Sequence, residues 1–186
     1  MEHYKSWSNL NKFLHQMLCD SLKGQIHYFL TRYHQVHNSY GRAAIQLNGR
    51  EIVCFSWIEM YHQERDASTL YEKNPHLSCD DIEAIMKPKW DDACTYCEMD
   101  FLSAALQFRN MPIQTALHSD NSIIKILAIL DGRVGKRTLQ QIADEDAYTE
   151  YPFWVRQFYH LRLSDLNPTI GGDHENFEDS AFPIVQ

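Results

Sequence analysis

Apolar side chains between Trp7 and Leu22 recur at intervals of three and four, at Leu10, Phe13, Leu14, Met17, Leu18 and Leu22, the stripe of an amphipathic helix. Ser6 or Ser8 can cap its start, and Gly24 follows its last turn, where helices commonly end in a left-handed residue. The period then drops to two. Ile26, Tyr28 and Leu30 alternate with His27, Phe29 and Thr31, which predicts a strand with an aromatic second face. Gln35 to Gly41 is polar and turn-like. Beyond it Ala43, Ile45 and Leu47 alternate, Asn48-Gly49 intervenes, and Ile52 and Cys54 alternate in turn; Asn-Gly between two such runs predicts a type I′ hairpin. A two-residue loop sets Leu47 against Arg50, Ile45 against Ile52 and Ala43 against Cys54, which places apolar on apolar across most of the ladder. Residues 1–58 therefore predict a helix on a three-stranded antiparallel meander.

Residues 59–98 read as a variable connecting part. Polar residues dominate as far as Pro75, with Ile58, Tyr61, Leu70 and Tyr71 spaced for a helix. Ser78 with Asp81 three later resembles a capping box ahead of Ile82, Ile85 and Met86, and Pro88 is expected to stop that helix. Lys87 to Glu98 reads as a linker. From residue 99 to 166 the pattern is of short helices with explicit stops: Asp100 capping Phe101 to Arg109, Pro112 opening Ile113 to His118, Asp120 or Asn121 capping Ile123 to Leu130, a further helix after Gly135 through Leu139 and Ile142, and one opened by Pro152. Short connections between them imply a compact helical bundle. Residues 167–186 are polar and Gly-containing, expected as a flexible tail. The fold class predicted is α+β in a single domain over 1–186.

Composition narrows the function classes. A net charge of −8 over 186 residues, 44% of them hydrophobic, gives a chain able to bury a core and argues against non-specific contact with nucleic acid or an anionic membrane. No apolar run approaches the roughly 20 residues of a spanning helix. Five cysteines at irregular spacing do not make a disulfide framework and fit the reducing cytoplasm. No phosphate loop, nucleophile elbow or His-Glu-x-x-His is present, so no cofactor and no catalytic residue is implied.

Three pieces together resemble a family of uncharacterised bacterial proteins. They are Trp7-Ser8 with the helix leading to Ser21-Leu22-Lys23-Gly24; Thr31-Arg32-Tyr33 with Gly41-Arg42; and Ala128-Ile-Leu-Asp-Gly-Arg-Val-Gly-Lys-Arg-Thr-Leu139 followed by Phe158-Tyr-His-Leu-Arg-Leu163. The signature is Leu-Asp-x-Arg-Val-Gly-Lys-Arg-Thr-Leu, and the resemblance implies no activity, substrate or catalytic residue.

Candidate chemistry concentrates in that signature. Asp131 falls at a helix C-terminus, where the macrodipole disfavours a carboxylate, so Arg133 and Arg162 are expected to compensate it in a polar network that fixes the helix junction. Against this stands an anion or nucleic-acid contact through Arg133, Lys136 and Arg137. Cys94-Thr-Tyr-Cys97 has the spacing of half a zinc site; Cys79, His76 and His118 could complete it but do not form a second close pair, so two ordinary thiols are expected. His34 and His37 read as a polar strand edge. Phe153 and Trp154 beside Pro152 cannot easily both face inward, and Trp154 is taken as a binding candidate. The leading expectation is a non-catalytic protein-interaction module, an immunity-type antagonist among its forms, whose acidic surface meets a basic protein. The alternative is an enzyme or nucleic-acid-associated factor using the Arg133/Lys136/Arg137 cluster.

Overall fold

A computed structural model of the chain describes residues 7–32, 41–91 and 94–164; the expectations for His34, His37 and the tail from 167 onward lie outside them. The architecture is α+β, an N-terminal helix and a three-stranded antiparallel sheet followed by short helices. Helix α1 spans Trp7–Met17 and buries Leu10 and Leu14. It ends five residues before Leu22, because the backbone there leaves the helix to meet another segment. Gly132 N–H donates to the Met17 carbonyl at 2.8 Å, Cys19 N–H donates to the Leu130 carbonyl at 3.0 Å, and Leu18 and Asp131 form an antiparallel bridge. A 3-10 turn at Asp20–Leu22 follows.

Strands β1 (Ile26–Arg32), β2 (Gly41–Leu47) and β3 (Arg50–Phe55) pair in chain order. Asn48 and Gly49 both take positive φ, 50° and 81°, as a type I′ turn needs. Leu47 faces Arg50, but the expected register fails beyond Gln46: a bulge leaves Ile52 unpaired, so that Ile45 faces Val53 and Ala43 faces Phe55. The reason is burial. With the extra residue, Val53 and Phe55 turn to the core, while Ile52 and Cys54 are only half-buried, and the larger apolar area decides which face wins. Gln157 Nε2 donates to the Ile52 carbonyl at 3.0 Å, a group the bulge takes out of the ladder.

Two helices occupy the expected connecting part. Helix α2 runs Trp57–Lys73 and α3 runs Cys79–Asp91, so Pro88 does not stop the chain and Lys87–Asp91 is not linker. A proline removes its own N–H bond but leaves the donors beyond it able to continue the turn, and here it sits near the end of the helix. Ser78 Oγ accepts from Asp81 N–H at 3.1 Å, while Asp81 Oδ2 accepts from Ser78 N–H at 2.9 Å, a closed capping box. Each of these helices packs chiefly on the other. Their buried Ile82 and Met86 stand apart from the main hydrophobic cluster.

Helix α4 (Glu98–Arg109) lies on the sheet, with Phe101 stacked on Phe55 at 5.0 Å between centroids. Cys97, not Asp100, is its N-cap: Cys97 N–H donates to Asp100 Oδ2 at 2.8 Å. After α5 (Ile113–Leu117) comes α6 (Ser122–Leu130), capped by Asn121, whose Oδ1 accepts from Ile123 N–H and Ile124 N–H at 3.0 and 3.2 Å. Residues Ile123, Ile124 and Ile126 through Leu130 are all buried, which makes α6 the axis of the helical half. It packs on α4, α5 and α8 (Phe153–Ser164), and α8 is covered by α7 (Lys136–Ala143).

Candidate functional site

Asp131 is the C-cap of α6, and its side chain is fully sealed from solvent. Oδ1 accepts from Arg133 N–H at 2.8 Å and from Arg133 Nε at 3.0 Å; Oδ2 accepts from Arg133 Nη2 at 2.7 Å. A planar guanidinium gripping both carboxylate oxygens is the strongest geometry such a pair can take. It offsets the unfavourable end of the α6 dipole, and the same bonds raise the Arg133 pKa above its ordinary value. Tyr28, buried beneath, has its phenol pushed up by desolvation first and then by the charge on Asp131.

Arg162 does not join that carboxylate. Its buried guanidinium donates through Nε to the Ile129 carbonyl at 2.8 Å and through Nη2 to the Val134 carbonyl at 2.8 Å. The expected network is therefore two adjoining devices: Arg133 holds the side chain of the junction and Arg162 holds its backbone on either side. Lys136 is half-buried and Arg137 exposed on α7. A cleft of about 290 Å³ opens beside Asp131, Gly132 and Arg133, lined also by Met17 to Asp20 and Lys23. Two cations at this cleft are paired, Arg133 with Asp131 and Lys23 with Asp20 at 2.6 Å, which leaves it a poor receptor for an added anion.

Trp154 is corrected as a surface candidate. It is 6% exposed, with its ring edge-on to Phe55 and Tyr96 at 6.3 and 5.9 Å, whereas Phe153 is 48% exposed. Trp154 turns inward onto Phe55 of β3 and onto Tyr96, which leaves its neighbour Phe153 on the outer side of α8. Cys97 is spent on capping α4, and burial pushes its thiol up, away from thiolate chemistry. Cys94 is half-buried against the core; among the described residues no three of His, Cys, Asp or Glu are grouped to hold a metal.

Sequence reasoning missed two features. Glu98 is buried and its Oε1 accepts from Gly41 N–H at 3.0 Å; the residues are 57 apart, and no local pattern announces such a contact. The second is an exposed aromatic face. Trp57, Tyr61 and Tyr71 are 47%, 64% and 50% exposed. At about 100° per residue, Tyr61 and Tyr71 lie roughly 40° to either side of Trp57 on α2. The three rings form one stripe, and its signal was the spacing of four and fourteen within a segment where polar residues dominate.

The sequence pattern of the SF0329 protein family matches residues 6–163. The chain belongs to that family. The match takes in the Asp131 junction, the Glu98–Gly41 contact and the aromatic stripe of α2, so all three lie within the SF0329 segment of the chain. No curated protein and no solved structure matches it.

Proposed function

We propose that this protein is a non-catalytic protein-interaction module of the bacterial cytoplasm and that α2 carries its binding face. The observation that supports this is the stripe of Trp57, Tyr61 and Tyr71, three large rings each left about half or more in solvent. Scattered exposed apolar residues need no explanation, but aromatic side chains aligned on one helix face match the composition of binding hot spots. The α2–α3 pair that bears them packs chiefly on itself, so the stripe is presented away from the main core. An immunity-type antagonist, which acts by covering its target, requires no more chemistry than such a face. The reading in which Arg133, Lys136 and Arg137 contact nucleic acid or a substrate has less support, because the Arg133 guanidinium is committed to Asp131.

Affinity capture from the native host tests the proposal. The wild-type chain is expected to retain a protein in stoichiometric amount, and the Trp57→Ala/Tyr61→Ala variant, folded as judged by circular dichroism, to lose it, since hot-spot aromatics each carry on the order of 2 kcal/mol. Equal recovery by both chains, or no stoichiometric protein with either, would count against it.

A further inference from the structure

We infer that the ligand of the α2 stripe is a basic amphipathic helix of a partner protein, laid along Trp57, Tyr61 and Tyr71. This rests on the reading of α2 as the binding face and adds the chemistry of what binds. Residues 57–91 hold eight acidic residues (Glu59, Glu64, Asp66, Glu72, Asp80, Asp81, Glu83 and Asp91) against four basic ones (Arg65, Lys73, Lys87 and Lys89), a net −4. Half of the chain's −8 thus sits in 35 of its 186 residues. An aromatic stripe alone would accept any apolar helix. One set in an acidic pair of helices discriminates, because arginine and lysine stack over the electron-rich ring faces while pairing with neighbouring carboxylates. Glu72, exposed, follows Tyr71 directly and lies on the side of the stripe occupied by Tyr61. An acidic partner would instead meet like charge, which is costly when contacts desolvate.

The stripe also sets a length. From Trp57 to Tyr71 is fourteen residues, roughly 21 Å of helix, which a partner helix of about four turns covers with anchors at i, i+4, i+7 and i+11. A second copy of this chain is a poor occupant for the same electrostatic reason, since it would place −4 against −4.

The test uses the full chain and two fluorescein-labelled helical peptides of about 15 residues with identical leucine stripes, one flanked by arginine and the other by glutamate, read by anisotropy. The arginine peptide is expected to bind at least tenfold more tightly, to weaken as salt rises, and to lose about tenfold or more of its affinity to Trp57→Ala/Tyr61→Ala and severalfold to Glu72→Lys. Equal or tighter binding of the glutamate peptide, abolished by Trp57→Ala/Tyr61→Ala, overturns the basic ligand but leaves α2 as the binding face. If neither peptide binds while a Trp57-dependent partner is captured from the host, the inference also fails and the functional reading stands; if capture fails too, both fall. Sedimentation of the wild-type chain as a dimer that Trp57→Ala/Tyr61→Ala dissociates would give the face to a second copy and overturn the inference.

Discussion

At the C-terminus of α6 the sealed carboxylate of Asp131 is gripped by the half-exposed guanidinium of Arg133. A carboxylate at a helix C-terminus is an electrostatic misfit, so a compensating cation was foreseeable, and Arg133 is two residues away where the chain itself delivers it. Arg162 was legible as a cation near the junction but not in its role, because which of several acceptors it meets depends on how α8 crosses α6. Glu98 and Gly41 were illegible altogether: a Cβ at Gly41 would lie 2.5 Å from Glu98 Cγ, a steric fact that exists only once β2 and α4 are assembled. The Asp131 pair carries a direct prediction. Asp131→Asn keeps an acceptor for Arg133 N–H but loses the ionic fork, and is expected to lower stability by about 1–2 kcal/mol, seen as a reduced urea midpoint with an unchanged slope. Arg133→Lys, which cannot span both oxygens, should move the midpoint the same way. Unchanged midpoints in both variants would remove the structural role given to this pair.

At the scale of elements, periodicity located the N-terminal helix, the strands and the hairpin turn, since each is dictated within a few residues. Boundaries set by tertiary contact were displaced. Helix α1 yields to the bridge between Leu18 and Asp131, and the hairpin register yields to the demand for Val53 and Phe55 in the core. Helix α3 runs past Pro88 to Asp91, since a proline near the end of a helix costs it only one N–H bond. Its start is governed by Asp81, whose carboxyl is held below its ordinary value of 3.8 chiefly by the Ser78 side chain and then by the Ser78 backbone N–H. A depressed carboxyl stabilises the fold fully above its unfolded value and loses that contribution as pH falls through the folded one. Acidification below about pH 4 is therefore expected to lower the amide-exchange protection factors, taken against the intrinsic rate at each pH, in the first turn of α3, and Ser78→Ala to abolish most of that pH dependence. Protection equally pH-dependent in both chains would rule out the capping box as its source.

Across the whole molecule the core runs from the sheet through Phe101 and α6 to Phe158 and Tyr159, while α2 and α3 keep a small core of their own. That division was hidden in the sequence because residues 59–98 carry weak periodicity: a helix pair that shares little surface with the rest needs only a narrow apolar seam. Regions with few buried contacts open at lower free energy, which suits a face that must adapt to a partner. The hydrogen bond from Gln157 to the bulged strand has a consequence for biosynthesis. Gln157 and Ile52 are 105 positions apart, so while the hairpin emerges from the ribosome the bulged carbonyl has no donor from α8, and the unbulged pairing of Ile45 with Ile52 is open to the nascent chain. Ribosome-stalled chains carrying Ala43→Cys are expected to form a disulfide with Cys54 when stalled before α8 is exposed, and Ala44→Cys, opposite Cys54 in the final register, to take over once α8 is out. The same Ala44→Cys preference at both lengths would show that the hairpin chooses its register unaided.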